Sequence, residues 1–161
     1  EVKSNLEWKG ESDFPGTQYI GIKTTCRIDK MDEAMPDDFA KIELLIKNNE
    51  ALATGAAYSI YHNWDIVKRQ ATYTACVGVT SIPEDLPEDF VSGEIPATRV
   101  YTLRHTGKYD HLGNAWSTMM AMARGKEFKT KRGIHPWEQY ITNPQETESD
   151  AHITDVVFAI K

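Results

Sequence analysis

The order strand–helix–strand–strand occurs twice along the chain, and this duplication limits the fold more than any other feature of the sequence. Residues 18–28 alternate, with Ile20, Ile22, Cys26 and Ile28 toward one face and Tyr19, Lys23, Thr25 and Arg27 toward the other. That is the period of a half-buried strand. From about 32 to 49, Phe39, Ile42, Leu45 and Ile46 recur at helical spacing opposite Lys41, Glu43 and Lys47. Pro36 then has to lie in the first turn, where its missing N–H is not needed. Gly55 breaks the pattern, and residues 56–62 and 71–80 read as a strand pair joined by a turn at Asn63, Trp64 and Asp65. The order then repeats. A strand over 98–105 leads to a helix over 109–124, which carries Leu112, Ala115, Trp116, Met119, Met120 and Ala123 on one stripe and is closed by Gly125. Strands over 135–141 and 153–160 follow. Tyr61 and Tyr140 hold matching places 79 residues apart (140 − 61). The expected fold is α+β. Two duplicated β-α-β-β units related by pseudo-twofold symmetry would share an antiparallel sheet, with two main helices on one face and a ligand cleft between the halves.

With 161 residues the chain is one domain. Its half repeats run over about 17–80 and 96–161, residues 1–16 form an N-terminal extension, and 81–95 form a connector. Pro83, Pro87, Glu84, Asp85, Glu88 and Asp89 give that connector a surface character. Lys and Arg number 18 against 24 Asp and Glu, a net charge of −6, which argues against direct nucleic-acid binding by this chain. No apolar run approaches the ~20 residues of a membrane span, and the polar residues 1–10 lack the core of a signal peptide. Cys26 and Cys76 form no C-x-x-C pair and suit reduced, buried thiols in a cytoplasmic protein. Glu1 stands where Met would begin a chain, which leaves a longer parent polypeptide open.

The residues richest in chemistry are 133–144. Strand alternation puts Glu138 and Tyr140 on one face and Trp137 and Gln139 on the other. A carboxylate among aromatic rings can receive a cation: ring faces attract it, and the carboxylate supplies the opposite charge in a low-dielectric pocket. Tyr58, Tyr61 and Trp64 form the corresponding cluster of the first half. Tyr58 and Tyr61 leave a straight strand on opposite faces, so only one faces a common cleft unless a bulge intervenes. Trp116 belongs to the helical stripe, as core or as pocket floor. A solvated strand position is the competing reading for Glu138.

Other chemistry finds little support. The histidines at 62, 105, 111, 135 and 152 show no H-x-x-x-H or H-x-x-H spacing, which argues against a metal. There is no G-x-S-x-G elbow, no evident base beside either cysteine, and no phosphate-binding glycine pattern, so no cofactor is expected.

Residues 105–116 (HTGKYDHLGNAW) resemble the strand-to-helix motif of GyrI-like small-molecule-binding domains. These are also the effector-binding domains of AraC-type and BmrR-type multidrug-responsive bacterial transcription activators. Residues 133–144, with their W-E-x-Y-x-x-N-P run, resemble the second motif of that family. Residues 58–65 resemble its first-half counterpart, and Cys76-Val77-Gly78-Val79 the strand that follows. The similarity extends from about 17 to 161. It implies a duplicated fold and a central hydrophobic pocket for aromatic or lipophilic, often cationic, compounds. Glu138 matches the family's pocket acid, and Trp137 and Tyr140 match its aromatic surround, with Tyr58 and Tyr61 as further carry-overs. Gly107 and Tyr109 are assigned to the turn into the helix. Regulators of this kind add a helix-turn-helix domain, and no segment here is left to form one, so a fused or separate regulatory domain is the implied partner.

Three functions follow. The first is a module that senses or sequesters a small lipophilic ligand. The second, from relatives that hydrolyse electrophilic cyclopropane-bearing natural products, is a hydrolase with Glu138 as general base assisted by Tyr140. The third is protein–protein interaction, since one branch of the family acts on DNA gyrase, with the acidic residues 84–89 as the surface.

Overall fold

The computed structural model describes residues 4–49 and 52–161. In chain order its strands and helices are β1 (Ser4–Phe14), β2 (Thr17–Arg27), α1 (Met31–Lys47), β3 (Ala53–Asp65), β4 (Gln70–Val79), β5 (Val91–Ile95), β6 (Thr98–Gly107), α2 (Gly113–Arg124), β7 (Trp137–Tyr140) and β8 (Ile153–Ile160). They divide into two compact units. One combines the residues up to Pro15 with Ala97–Lys161; the other is Gly16–Pro96. The first has the strand order β1-β6-β8-β7 and the second β3-β4-β2-β5, with antiparallel pairing in both. Each unit is thus a four-stranded antiparallel sheet with one main helix, and the class is α+β.

The duplication extends to strands the alternation did not reveal. Residues 4–14 and 91–95, expected as an extension and part of a connector, are edge strands β1 and β5. The reason β1 is hidden lies in its register. Trp8 faces Leu103 and Gly10 faces Thr102, so Lys9 is an extra residue in a bulge. Even-numbered residues therefore change faces at that point. Gly10 has φ +76, the left-handed conformation such a bulge requires. Glu7, Lys9, Glu11 and Asp13 give β1 the charge that keeps an edge strand from pairing with other chains.

Inside the second unit, Met31, Met35, Phe39, Ile42 and Ile46 of α1 pack on Ile22, Tyr73 and Ala75 of the sheet. Asp38 shares that stripe and is buried. Its Oδ2 accepts hydrogen bonds from Tyr73 Oη at 2.7 Å and Thr24 Oγ1 at 2.8 Å, tying the helix to two strands. Pro36 does not lie in the first turn as expected, because the helix already begins at Met31. Pro36 and Asp32 are both exposed, so the carbonyl that would have received its N–H is left to water. The turn expected at Asn63–Asp65 falls later, at 66–69: β3 continues through a bulge after Tyr61, and Arg69 takes φ 55.

The first unit packs α2 through Leu112, Ala115 and Met119 onto Leu103, Val156, Phe158 and Ile160. A single 3-10 turn, Tyr109–His111, precedes α2 where one continuous helix was expected. At the other end Gly125 caps α2 with φ −76, and the next residue, Lys126, takes the left-handed conformation with φ 59. Strand β7 starts only at Trp137 because Pro136 has no N–H for a ladder. Strand β8 is flanked on both edges and buried on both faces, which is why it reads as a continuous apolar run.

Gly21 tests the second sheet. A Cβ there would run into the Ala75 carbonyl and the Cys76 Cβ. Gly21→Ala is expected to destabilise the protein by about 1–3 kcal/mol through overpacking, read as a lower midpoint in urea denaturation. An unchanged midpoint would contradict this packing.

Candidate functional site

The first unit brings three of the expected residues together. Glu138 sits on β7 opposite Val156, which lies opposite Leu103. Directly opposed residues share a face, so the carboxylate points to the side where α2 packs. It is 3% exposed. Trp116 of α2 donates its indole N–H to Oε1 at 2.7 Å, and the Tyr140 hydroxyl donates to Oε2 at 2.7 Å. The indole also packs on Phe158, with ring centroids 5.7 Å apart. Trp116 is therefore both core and a ligand of the acid. Both donors are neutral, so they satisfy the carboxylate without cancelling its charge.

Tyr109 extends the group. Its ring stands edge-on to Tyr140 at 6.1 Å and stacks on His152 at 4.4 Å. Burial pushes its hydroxyl above the ordinary tyrosine range, and the negative charge of Glu138 raises it further. The turn residue is thus an aromatic neighbour of the acid. Sequence spacing missed this because Tyr109 belongs to a 3-10 turn, where no strand or helix period applies. His152, just before β8, was missed for the same reason.

Trp137 is not part of this group. Alternation turns it to the opposite face, where it is buried and its ring lies 5.0 Å from Phe14. The other three aromatic candidates belong to the second unit. Tyr61 lies on its helix face, 6.5 Å from the Tyr73 ring, and Trp64 meets Tyr61 edge-on at 6.4 Å with half its surface exposed. Tyr58 is buried on the other face, opposite Cys76, and burial raises its hydroxyl. The bulge lies beyond Tyr61, so it does not reunite Tyr58 and Tyr61. Among the described residues no three His, Cys, Asp or Glu side chains gather to hold a metal, and no helix is long and apolar enough to cross a membrane.

The model of the GyrI-like small molecule binding domain matches residues 11–161. The chain belongs to the GyrI-like family. No curated protein matches it. Among solved structures, EcmrR in its DNA complex is similar at 18% identity and a TM-score of 0.78; the match covers 98% of this chain and 57% of that one. The chain thus spans little more than half of that EcmrR chain. The isolated EcmrR C-terminal domain is similar at 18% identity and TM-score 0.71, over 99% of this chain and 97% of its own length. SAV2435, solved bound to tetraphenylphosphonium, is similar at 13% identity and TM-score 0.65, with 96% and 94% covered. A hydrolase from Listeria innocua is similar at 10% identity and TM-score 0.56, with 99% and 92% covered. At these identities the likeness is one of GyrI-like fold.

Two measurements check the site. Trp116→Phe and Tyr140→Phe each remove a donor from a buried acid, and each is expected to cost about 1.5–3 kcal/mol in urea denaturation. In Glu138→Gln the Tyr109 hydroxyl loses the smaller of its two upward influences. Its titration, followed by NMR of labelled tyrosine, should move down yet stay above the ordinary value, because burial remains. An unmoved titration would place the charge of Glu138 elsewhere.

Proposed function

We propose that this GyrI-like domain binds lipophilic aromatic cations, with Glu138 as counter-charge and Trp116, Tyr140 and Tyr109 as the ring surfaces beside it. The observation that carries this reading is a carboxylate 3% exposed and held by two neutral donors. Such a group keeps its affinity for positive charge while being withdrawn from water. A unit charge 4 Å from it gains about 4 kcal/mol at an effective dielectric of 20, and ring faces add to that attraction. Tetraphenylphosphonium, bound by the similarly folded SAV2435, has the right chemistry as a probe: one diffuse charge inside an apolar shell. The likeness to EcmrR supports assigning the binding event to effector sensing or sequestration.

A second reading rests on the Tyr140 hydroxyl at Glu138 Oε2, an acid–hydroxyl pair that could activate water against an electrophilic cyclopropane, and on the fold shared with a hydrolase. Geometry favours binding. Each carboxylate oxygen already accepts a hydrogen bond, so a water must compete for the remaining lone pairs. Intact substrate after long incubation at high protein concentration would remove the hydrolase reading.

Isothermal titration with tetraphenylphosphonium tests the first reading. Glu138→Gln is expected to weaken binding by at least about tenfold, equivalent to about 1.4 kcal/mol. Equal affinity of the two proteins would sink the counter-charge.

A further inference from the structure

Four buried polar atoms around this site have no hydrogen-bond partner among the described residues: Nδ1 and Nε2 of His105, Oγ1 of Thr154 and Nδ1 of His152. Their arrangement is regular. His105, Thr154 and Tyr140 lie directly opposite one another across β6, β8 and β7. They form one row on the face that carries Glu138. Adjacent strands are about 4.8 Å apart, so Thr154 lies about 5 Å and His105 about 10 Å across the sheet from Tyr140. His152 lies two residues before Thr154, just ahead of β8, and its ring stacks on Tyr109.

Buried polar groups are almost always paired, and each one left unmet costs folding free energy. His105 and Thr154 are 0% exposed. Several such atoms in one row, on the face that carries the counter-charge proposed above, are a poor core and a good receptor. We infer that the row is a hydrogen-bonding subsite of the ligand site, which takes a hydroxyl or primary amide carried by the lipophilic cation one or two strand spacings from its charge. This deepens the cation reading above and rests on it.

The chemistry of the row suits such a group. Thr154 both donates and accepts, and a neutral imidazole carries one donor and one acceptor nitrogen. Burial holds His105 below the ordinary histidine range, and His111 lowers it further, so its ring stays uncharged and does not repel a cation. His152 places Nε2 3.2 Å from the Thr147 carbonyl, which assigns its N–H there and leaves Nδ1 as an acceptor. Tyr109 touches Tyr140 and stacks on His152, covering this end of the row; with 37% of its own surface exposed, its ring is the side chain that must turn aside for entry.

The test compares tetraphenylphosphonium with (4-hydroxyphenyl)triphenylphosphonium by titration calorimetry on the full chain. Wild type should bind the hydroxylated cation about tenfold tighter. Thr154→Val and His105→Leu should each reduce that preference to about threefold or less. Neither should lower the melting temperature, since neither removes an internal hydrogen bond. Equal binding of the two cations by wild type overturns the subsite and leaves the counter-charge standing. A lowered melting temperature in both variants also overturns it, because the atoms would then serve the fold. The neutral (4-hydroxyphenyl)triphenylmethane separates the two ideas: Thr154-dependent binding of it, with neither cation bound, retains the subsite and discards the counter-charge. Binding of none of the three overturns both.

Discussion

The carboxylate of Glu138, withdrawn from water between an indole N–H and a phenol, sets the terms for the first unit. Taking a carboxylate out of water costs several kcal/mol unless donors replace the lost solvent. The donors must therefore come from fixed places. One is Tyr140, two residues along the same strand, which reaches Glu138 only because strand alternation puts both on one face. The other is Trp116, which fixes the rotation of α2 about its own axis. A one-residue slip of β7 would carry the carboxylate away from Trp116 and turn Trp137 toward the helix. The register of the shortest strand in the unit is thus held by a polar contact as much as by apolar packing.

The second unit keeps the topology and changes the chemistry. The position 79 residues before Glu138 is Ser59 (138 − 79), which is fully buried with Oγ 3.3 Å from the Met35 sulfur. The buried acid of that unit is supplied by the helix instead, as Asp38, with its donors Tyr73 and Thr24 on the sheet. In one unit the strand carries the acid and the helix a donor; in the other the roles are exchanged. Asp38 shares the stripe with Met35 and Ile42, and an acid on an apolar helical face was a readable signal. It pins α1 to β2 and β4, and both of its donors converge on a single oxygen. Duplication fixed how the strands pair, while the chemistry of each half diverged.

What the sequence made legible follows the same division. Segments with one face in the core and one in water show their period, so β2, both helices, the β3–β4 pair and β6 could be read with small errors at the ends, and β8, buried on both faces, was legible as an apolar run. Glu138 and Tyr140 could be placed on one face, apart from Trp137, by parity alone. Elements whose pattern is broken by geometry were hidden. The bulge at Lys9 reverses the alternation of β1, β5 has only five residues, and the Tyr109 turn belongs to neither period. The row His105–Thr154–Tyr140 was out of reach for a further reason: its members are joined across three strands, and single-chain spacing carries no information on cross-strand register.

That register has its own safeguard on the opposite face of the same strands. Arg104 of β6 and Asp155 of β8 are direct partners, and the guanidinium meets both carboxylate oxygens, at 2.8 and 3.0 Å. Exposed ion pairs contribute little, but this one is bidentate, and the Asp155 side chain is only 10% exposed. Its geometry tolerates one alignment of β6 on β8. Arg104 precedes His105 and Asp155 follows Thr154, so the alignment that closes the fork also sets His105 opposite Thr154. Slippage by one residue would open the fork and turn one member of the row to the other face. The row's unmet polar atoms favour no alignment of their own, since they make no hydrogen bond that a slip would lose. The specificity that keeps them together has to come from neighbours, and the charged pair behind them supplies it.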